Sequence, residues 1–160
     1  MFSIFSFVSY GQKNNPYAAL KFDKVIMYDF EPGGGKGGSI VEADGKLTKN
    51  ISKQVKLDSA TIFKLNQKLG DSASFNWGDA ACFDPHLGFV YYKGKNIVGY
   101  ITICIDCNVL SANIKLPAQT RLKAGNDAQG MSKSFRKFLK PLLKKNNFSH
   151  QIPPGSSYDE

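Results

Sequence analysis

The clearest hydrophobic pattern lies in two adjacent stretches near the middle of the chain. Residues 88–93 and 96–105 are rich in Val, Ile, Tyr and Phe, and a short polar segment separates them. Runs of β-branched and aromatic residues bounded by turn residues are typical of strands. Between them, Gly94-Lys95 suits a type II′ turn, which has glycine at its first central position. The pattern therefore predicts a central β-hairpin over about residues 88–105.

Three more segments, earlier in the chain, have the composition of strands. Residues 22–30 are rich in β-branched and aromatic side chains. Residues 39–41 and 46–55 flank the Asp44-Gly45 dipeptide, which is a frequent hairpin turn. We therefore expect further short strands before the central hairpin.

Helical periodicity predicts two main helices. The first, over about residues 59–69, follows Asp58, whose carboxylate suits the cap position before a helix. The second, over about residues 131–145, has an apolar stripe that consists of Met131, Phe135, Phe138, Leu139, Leu142 and Leu143. Pro141 lies inside this pattern and predicts a kink or interruption near residues 137–140. Together with the strands, the helices predict an α+β domain with a small antiparallel sheet.

Positive charge is the main compositional bias. The 160 residues include 21 Lys and Arg against 13 Asp and Glu, which gives a net charge of +8. Cations on the polar side of the last helix are the candidate surface-binding residues, and they are Lys133, Arg136, Lys137, Lys140 and Lys144. A basic face of this kind is commonly just the solvated side of a packed helix. In an exported protein the charge could also favour an anionic envelope component as partner. Nucleic acid is disfavoured because no known binding motif accompanies the charge.

The two ends of the chain differ in composition from the part between them. Residues 1–11 are apolar and uncharged, and Ser9 and Gly11 place small residues where signal peptidase requires them, before Gln12. We therefore predict a signal-peptide remnant over 1–11, one domain over 12–150 and a flexible tail over 151–160, with His150 exposed. The protein is accordingly expected to be exported, either periplasmic or secreted. No apolar run reaches the ~18–20 residues that span a bilayer.

All three cysteines are expected at one end of the central hairpin. The Gly94-Lys95 turn sets the register, and counting outward from it places Cys82 opposite Cys107. The same register brings a histidine and the third cysteine to this end. Four side chains with sulfur or imidazole nitrogen are therefore expected to converge, and they are Cys82, His86, Cys104 and Cys107.

Four interpretations of this cluster remain open. A disulfide suits an exported domain and would leave one cysteine free. The Cys-x3-His and Cys-x2-Cys spacings together supply four ligands of the kind found in structural zinc sites. Residues 104–107 also have the spacing of a redox Cys-x-x-Cys motif, although no obvious helix follows them. Finally, cysteines can pack as small buried hydrophobic residues.

The residues around the cysteines carry a family resemblance. Cys-Phe-x-Pro at residues 82–85, an aromatic strand after Gly88, and Ile-Cys-x-x-Cys-Asn at residues 103–108 resemble an uncharacterised family of small exported bacterial proteins. The resemblance covers about residues 57–116. Family members commonly carry Arg-His or Arg-Asn after the proline, whereas this chain has His86-Leu87. The resemblance implies a fold unit and an exported location, and it implies no reaction.

No catalytic constellation stands out in the sequence. A nucleophilic pair could be drawn from Cys82 or Cys104 with His86, but no characteristic flanking pattern supports it. We therefore expect an exported binding or structural envelope domain with a disulfide and without a cofactor. Its partner would be an anionic envelope component or another exported protein. The alternative is a thiol-dependent enzyme, or a redox or zinc protein, that uses the four clustered residues.

Overall fold

The computed structural model describes residues 15–33, 37–119, 129–155 and 158. Within these ranges the α-helices are α1 (Pro16–Ala19), α2 (Ser59–Gly70) and α3 (Lys133–Lys145). The strands are β1 (Lys24–Phe30), β2 (Ile51–Lys56), β3 (Phe75–Asn76), β4 (Leu87–Lys93), β5 (Asn96–Cys104), β6 (Val109–Ala112) and β7 (Gly130–Met131). The predicted signal-peptide remnant, residues 1–11, lies outside the described residues.

The seven described strands form one antiparallel sheet in the order β2-β1-β4-β5-β6-β7-β3. The α+β prediction is therefore confirmed, and β4 and β5 form the central hairpin. The expected small size of the sheet is wrong, because β6, β7 and β3 extend it beyond β5. Strands β3 and β7 have two residues each, which is too short to leave a period-two pattern in the sequence.

Helices α2 and α3 cover one face of the sheet. Side chains of a strand alternate between its two faces, and the odd-numbered residues of β4 pack in the larger core together with both helices. That core includes Leu87, Phe89 and Tyr91 from β4, Leu65 and Leu69 from α2, and Phe135, Leu139 and Leu143 from α3. The predicted cap of α2 is confirmed, because Asp58 Oδ1 accepts a hydrogen bond from the Thr61 N–H at 2.7 Å.

The connection between β1 and β2 covers part of the other face. Ile40 from this connection is buried against Tyr28 and Val90 in a second hydrophobic cluster. It lies directly over Gly88 of β4, where a Cβ atom would come within 2.7 Å of the Ile40 Cβ. Glycine at position 88 therefore allows the connection to approach the sheet closely.

The central hairpin forms the predicted turn but does not keep the predicted register. Gly94 has a φ of +58°, as a turn with glycine first requires. A β-bulge near the turn then shifts the pairing by one residue, so that Leu87 faces Ile103 and not Thr102. The predicted register is wrong beyond this point, because a bulge inserts one unpaired residue without changing the composition of the strand.

Helix α3 covers Lys133–Lys145 and starts two residues later than predicted. It continues through Pro141, so the predicted interruption does not occur. Arg136 is only 1% exposed, and its prediction as a surface-binding residue is therefore wrong. The reason is its helical spacing to the buried Leu139 and Leu143, which places it on the packed side of the helix.

The segment after α3 packs onto the domain. Ile152 is buried in the larger core. The Gln151 side chain donates hydrogen bonds to the backbone carbonyls of Leu143 and Phe148. Packing therefore continues past residue 150, where the sequence predicted a flexible tail to begin.

Candidate functional site

The cysteine cluster is built where β5 turns into β6. Cys104 is the last residue of β5, and residues 105–108 form the turn that contains Cys107. Asn108 closes this turn with a φ of +54°, a conformation that asparagine tolerates better than most residues. Ala80–Cys82 forms a 3₁₀ turn beside it, held there by a hydrogen bond from the Asp79 N–H to the Cys107 carbonyl at 2.9 Å.

The cluster consists of a disulfide and an adjacent thiol. Cys82 and Cys107 form the disulfide, with Cα atoms 5.8 Å apart. The structure therefore agrees with the first of the four interpretations, a disulfide that leaves one cysteine free. Cys104 is the free cysteine, and its Sγ lies 2.7 Å from the Sγ of Cys107. Cys104 and Cys107 are each 1% exposed, so the free thiol and one disulfide sulfur are inside the domain.

The surroundings of Cys104 do not favour a thiolate. Burial raises the pKa of the Cys104 thiol, and the Asp106 carboxylate acts in the same direction. The Cys107 N–H donates a hydrogen bond to Cys104 Sγ at 3.3 Å. This bond lowers the pKa but does not cancel the effect of burial. Low-pKa cysteines of redox motifs commonly lie at a helix N-terminus, whereas strand β6 follows this motif. The arrangement therefore lacks the feature that activates such motifs.

Arg136 of α3 holds the β5–β6 turn from inside the core. Its Nη1 donates to the Ile105 carbonyl at 3.2 Å and to Asn108 Oδ1 at 3.1 Å. The Asn108 Nδ2 donates in turn to the carbonyls of Trp77 and Met131. Sequence reasoning treated Arg136 as a surface cation and missed this role. Its spacing to the apolar stripe was the signal that could have revealed it.

His86 lies in a different group of side chains from the cysteines. Its Nδ1 is 3.2 Å from the Phe30 carbonyl oxygen and 3.2 Å from Glu31 Oε2, and its Nε2 is 3.7 Å from Asp84 Oδ2. Its ring stacks on the ring of His150, with the centroids 3.6 Å apart. The predicted convergence therefore does not hold for His86. It precedes β4 beside the end of β1, whereas the cysteines gather at the β5–β6 turn.

His150 reaches His86 because the segment after α3 is anchored on the sheet. The N–H and the Oγ of Ser149 donate to the buried Asp29 carboxylate at 2.6 and 2.7 Å. His150 Nδ1 lies 3.2 Å from the same Oγ. His150 is therefore partly buried, and the exposed position expected from its place near the C-terminus is wrong.

Two groups of side chains in the described ranges bring metal-ligating atoms within 4.8 Å of one another. Two of the three sulfurs are joined in the disulfide, so zinc would require reduction and would then find three sulfurs in place of the four predicted ligands. Glu31, His86 and His150 each place a ligand atom within 4.8 Å of the others. However, the two imidazole planes are 8° from parallel. Their in-plane lone pairs do not meet at one ion unless a ring turns.

The outer side of α3 carries a row of exposed lysines, which we call the lysine face. It consists of Lys133, Lys137, Lys140, Lys144 and Lys145, and it includes the four lysines predicted as surface-binding residues. The helix contains no Asp or Glu. Of the helices in the described ranges, none combines the length and the apolar character needed to cross a membrane.

Comparison with known proteins leaves the site to be interpreted from its geometry. No family model, no curated protein and no solved structure matches the chain. The family resemblance around the cysteines therefore remains an expectation from the sequence.

Proposed function

We propose that the protein is an exported, disulfide-stabilised domain that binds an anionic membrane surface of the cell envelope through the lysine face of α3. The observation that carries this proposal is the exposure of all five lysines on one helix without an acidic neighbour in that helix. Lys133, Lys137, Lys140 and Lys144 follow one another at spacings of four, three and four residues. Residues at such spacings are neighbours on one side of a helix.

The charge of the lysine face is not neutralised by ion pairs in the described part of the chain. There, lysine ion pairs join Lys46 to Asp44 and Lys93 to Asp23, both away from α3. Unpaired cations of one sign produce a local potential that attracts anionic surfaces. The row also lies on a rigid element, because the opposite side of α3 is buried in the larger core.

Export is supported by the disulfide, since such bonds persist in oxidising compartments and are rare in the cytosol. It is also supported by the apolar residues 1–11 and their small residues at a signal-peptidase site. We expect N-terminal sequencing of protein recovered from its native compartment to begin at Gln12. Folded native protein that still begins at Met1 would contradict the proposal of export.

Replacing Lys137, Lys140 and Lys144 together by Gln should weaken binding to anionic vesicles. Each lysine near an anionic surface contributes about 1 kcal/mol, so the triple variant should lose on the order of a hundredfold in affinity. Cosedimentation with vesicles of phosphatidylglycerol and phosphatidylcholine measures the effect. Binding by the unmodified protein should also fall as the salt concentration rises.

A matched control separates the lysine face from net charge alone. Lys21, Lys49 and Lys95 are exposed and lie outside α3, and their replacement by Gln removes the same charge. This control variant should retain most of the binding. Equal losses from the two triple variants, or equal binding of the unmodified protein to vesicles of phosphatidylcholine alone, would contradict the proposed function.

A further inference from the structure

The free cysteine lies directly beside the disulfide. The sulfurs of Cys104 and Cys107 are 2.7 Å apart. The free thiol therefore lies next to a disulfide sulfur of the kind that thiol–disulfide exchange attacks. We propose that the disulfide migrates within the cluster, and that Cys82 is thereby released as the reactive thiol of the oxidised protein. This property is independent of the lysine face.

The proposed step is an intramolecular thiol–disulfide exchange. The Cys104 thiol first loses its proton, which burial makes the less populated state, and the resulting thiolate attacks the Sγ of Cys107. The Cys104–Cys107 bond forms as the Cys82–Cys107 bond breaks, and the Cys82 sulfur leaves as a thiolate that takes up a proton. One disulfide and one thiol are present before and after the step. No oxidant or reductant is therefore needed.

The exchange changes which thiol solvent can reach. Cys104 is buried at 1% exposure, whereas Cys82 is partly exposed at the end of its 3₁₀ turn. A reagent in solution is therefore excluded from the free thiol of the resting form but can reach the thiol that the exchange releases. Cys82 becomes a modification site for soft electrophiles and for external disulfides, which react with accessible thiolates.

The rest of the cluster does not depend on the Cys82 sulfur. Arg136 and Asn108 hold the β5–β6 turn through hydrogen bonds that involve no cysteine side chain. The 3₁₀ turn is held by the backbone hydrogen bond from Asp79 to Cys107. Both turns therefore have contacts that keep them in place while the disulfide changes partners.

The resting form should be the Cys82–Cys107 disulfide. This bond joins residues 25 positions apart, whereas a Cys104–Cys107 bond would join residues within a single turn. The structure holds the Cys82–Cys107 pairing, and this is the form from which the exchange starts. The form with a free Cys82 thiol is thus the minor one. An irreversible reagent should trap it, so that labelled protein accumulates with time.

Maleimide labelling of the folded, oxidised full-length protein tests the proposal. The protein is incubated with excess N-ethylmaleimide, quenched in acid to stop exchange, and digested without reduction for mass spectrometry. We expect one label per chain, located on Cys82, together with a Cys104–Cys107 disulfide. Label on Cys104 with the Cys82–Cys107 disulfide intact would overturn the proposal. Folded protein that takes up no label at all would also overturn it.

A variant without the attacking thiol is the control. Cys104→Ser should slow the labelling of Cys82 by at least about tenfold, because a serine hydroxyl does not displace a disulfide at neutral pH. Cys104→Ala gives the same comparison if serine is poorly tolerated in the buried site, and circular dichroism verifies that each variant is folded. Unchanged labelling of Cys82 in the folded variants would show that external thiols open the disulfide, and it would overturn the proposal.

Discussion

Replacing Phe135 by Ala should lower the free energy of unfolding by about 3–5 kcal/mol, as measured by urea denaturation. The Phe135 side chain is completely buried between α3 and the sheet. Its ring meets Phe75 edge to face, with the centroids 6.2 Å apart, and contacts Phe138 at a similar distance. Truncation removes these contacts and leaves a cavity that the surrounding strands and helices can fill only in part.

Lys137→Ala is the matched control on the same helix. Lys137 is exposed on the lysine face, and surface substitutions of this kind usually change stability by less than about 0.5 kcal/mol. A small effect from both substitutions would mean that α3 does not pack on the sheet through its apolar stripe. A large effect from both would mean that Lys137 has a structural contact that its exposure does not indicate.

Loss of the disulfide should produce the second large effect. It should lower the free energy of unfolding by about 3 kcal/mol on the chain-entropy model for a link across 25 positions. Two variants should be compared. One is the double variant, with both Cys82→Ser and Cys104→Ser, and the other is the single variant Cys104→Ser. The single variant keeps the Cys82–Cys107 bond. Removing Cys104 from both proteins prevents it from pairing with Cys107 and masking the loss. Denaturation under oxidising conditions measures the difference.

The same two variants provide the control when a reductant is added. Reduction opens the disulfide in the single variant, so the two proteins should then have nearly the same free energy of unfolding. Equal stability without reductant would show that Cys82 and Cys107 are not bonded in the native protein. The metal alternative is separated by metal analysis of the unmodified oxidised protein, which should contain no zinc at this cluster.

The bonding of Cys82 shows how a sequence prediction can succeed although part of its reasoning fails. The turn at Gly94 was recognised correctly, and it brings Cys82 and Cys107 to the same end of the hairpin. The register itself is displaced by the bulge. The two cysteines still meet because each lies in a turn beyond the paired strands, where exact pairing no longer controls their separation. The approach of Cys82 to the other cysteines was therefore predicted better than the strand pairing from which it was deduced.

By itself the sequence determined the features that depend on neighbours along the chain. These are the central hairpin with its glycine turn, the Asp58 cap of α2, and the buried stripe of α3. Each follows from residues within a few positions of one another, so a local pattern of hydrophobicity or turn chemistry identifies it.

Only the tertiary structure decided which distant side chains meet. It placed His86 on His150, buried Arg136 against the β5–β6 turn, and left Cys104 beside the disulfide. It also added the two-residue strands β3 and β7 to the sheet. These contacts join segments that are far apart in the chain, and their strength comes from burial and hydrogen bonding after the sheet has formed. A local pattern in the sequence therefore carries no record of them.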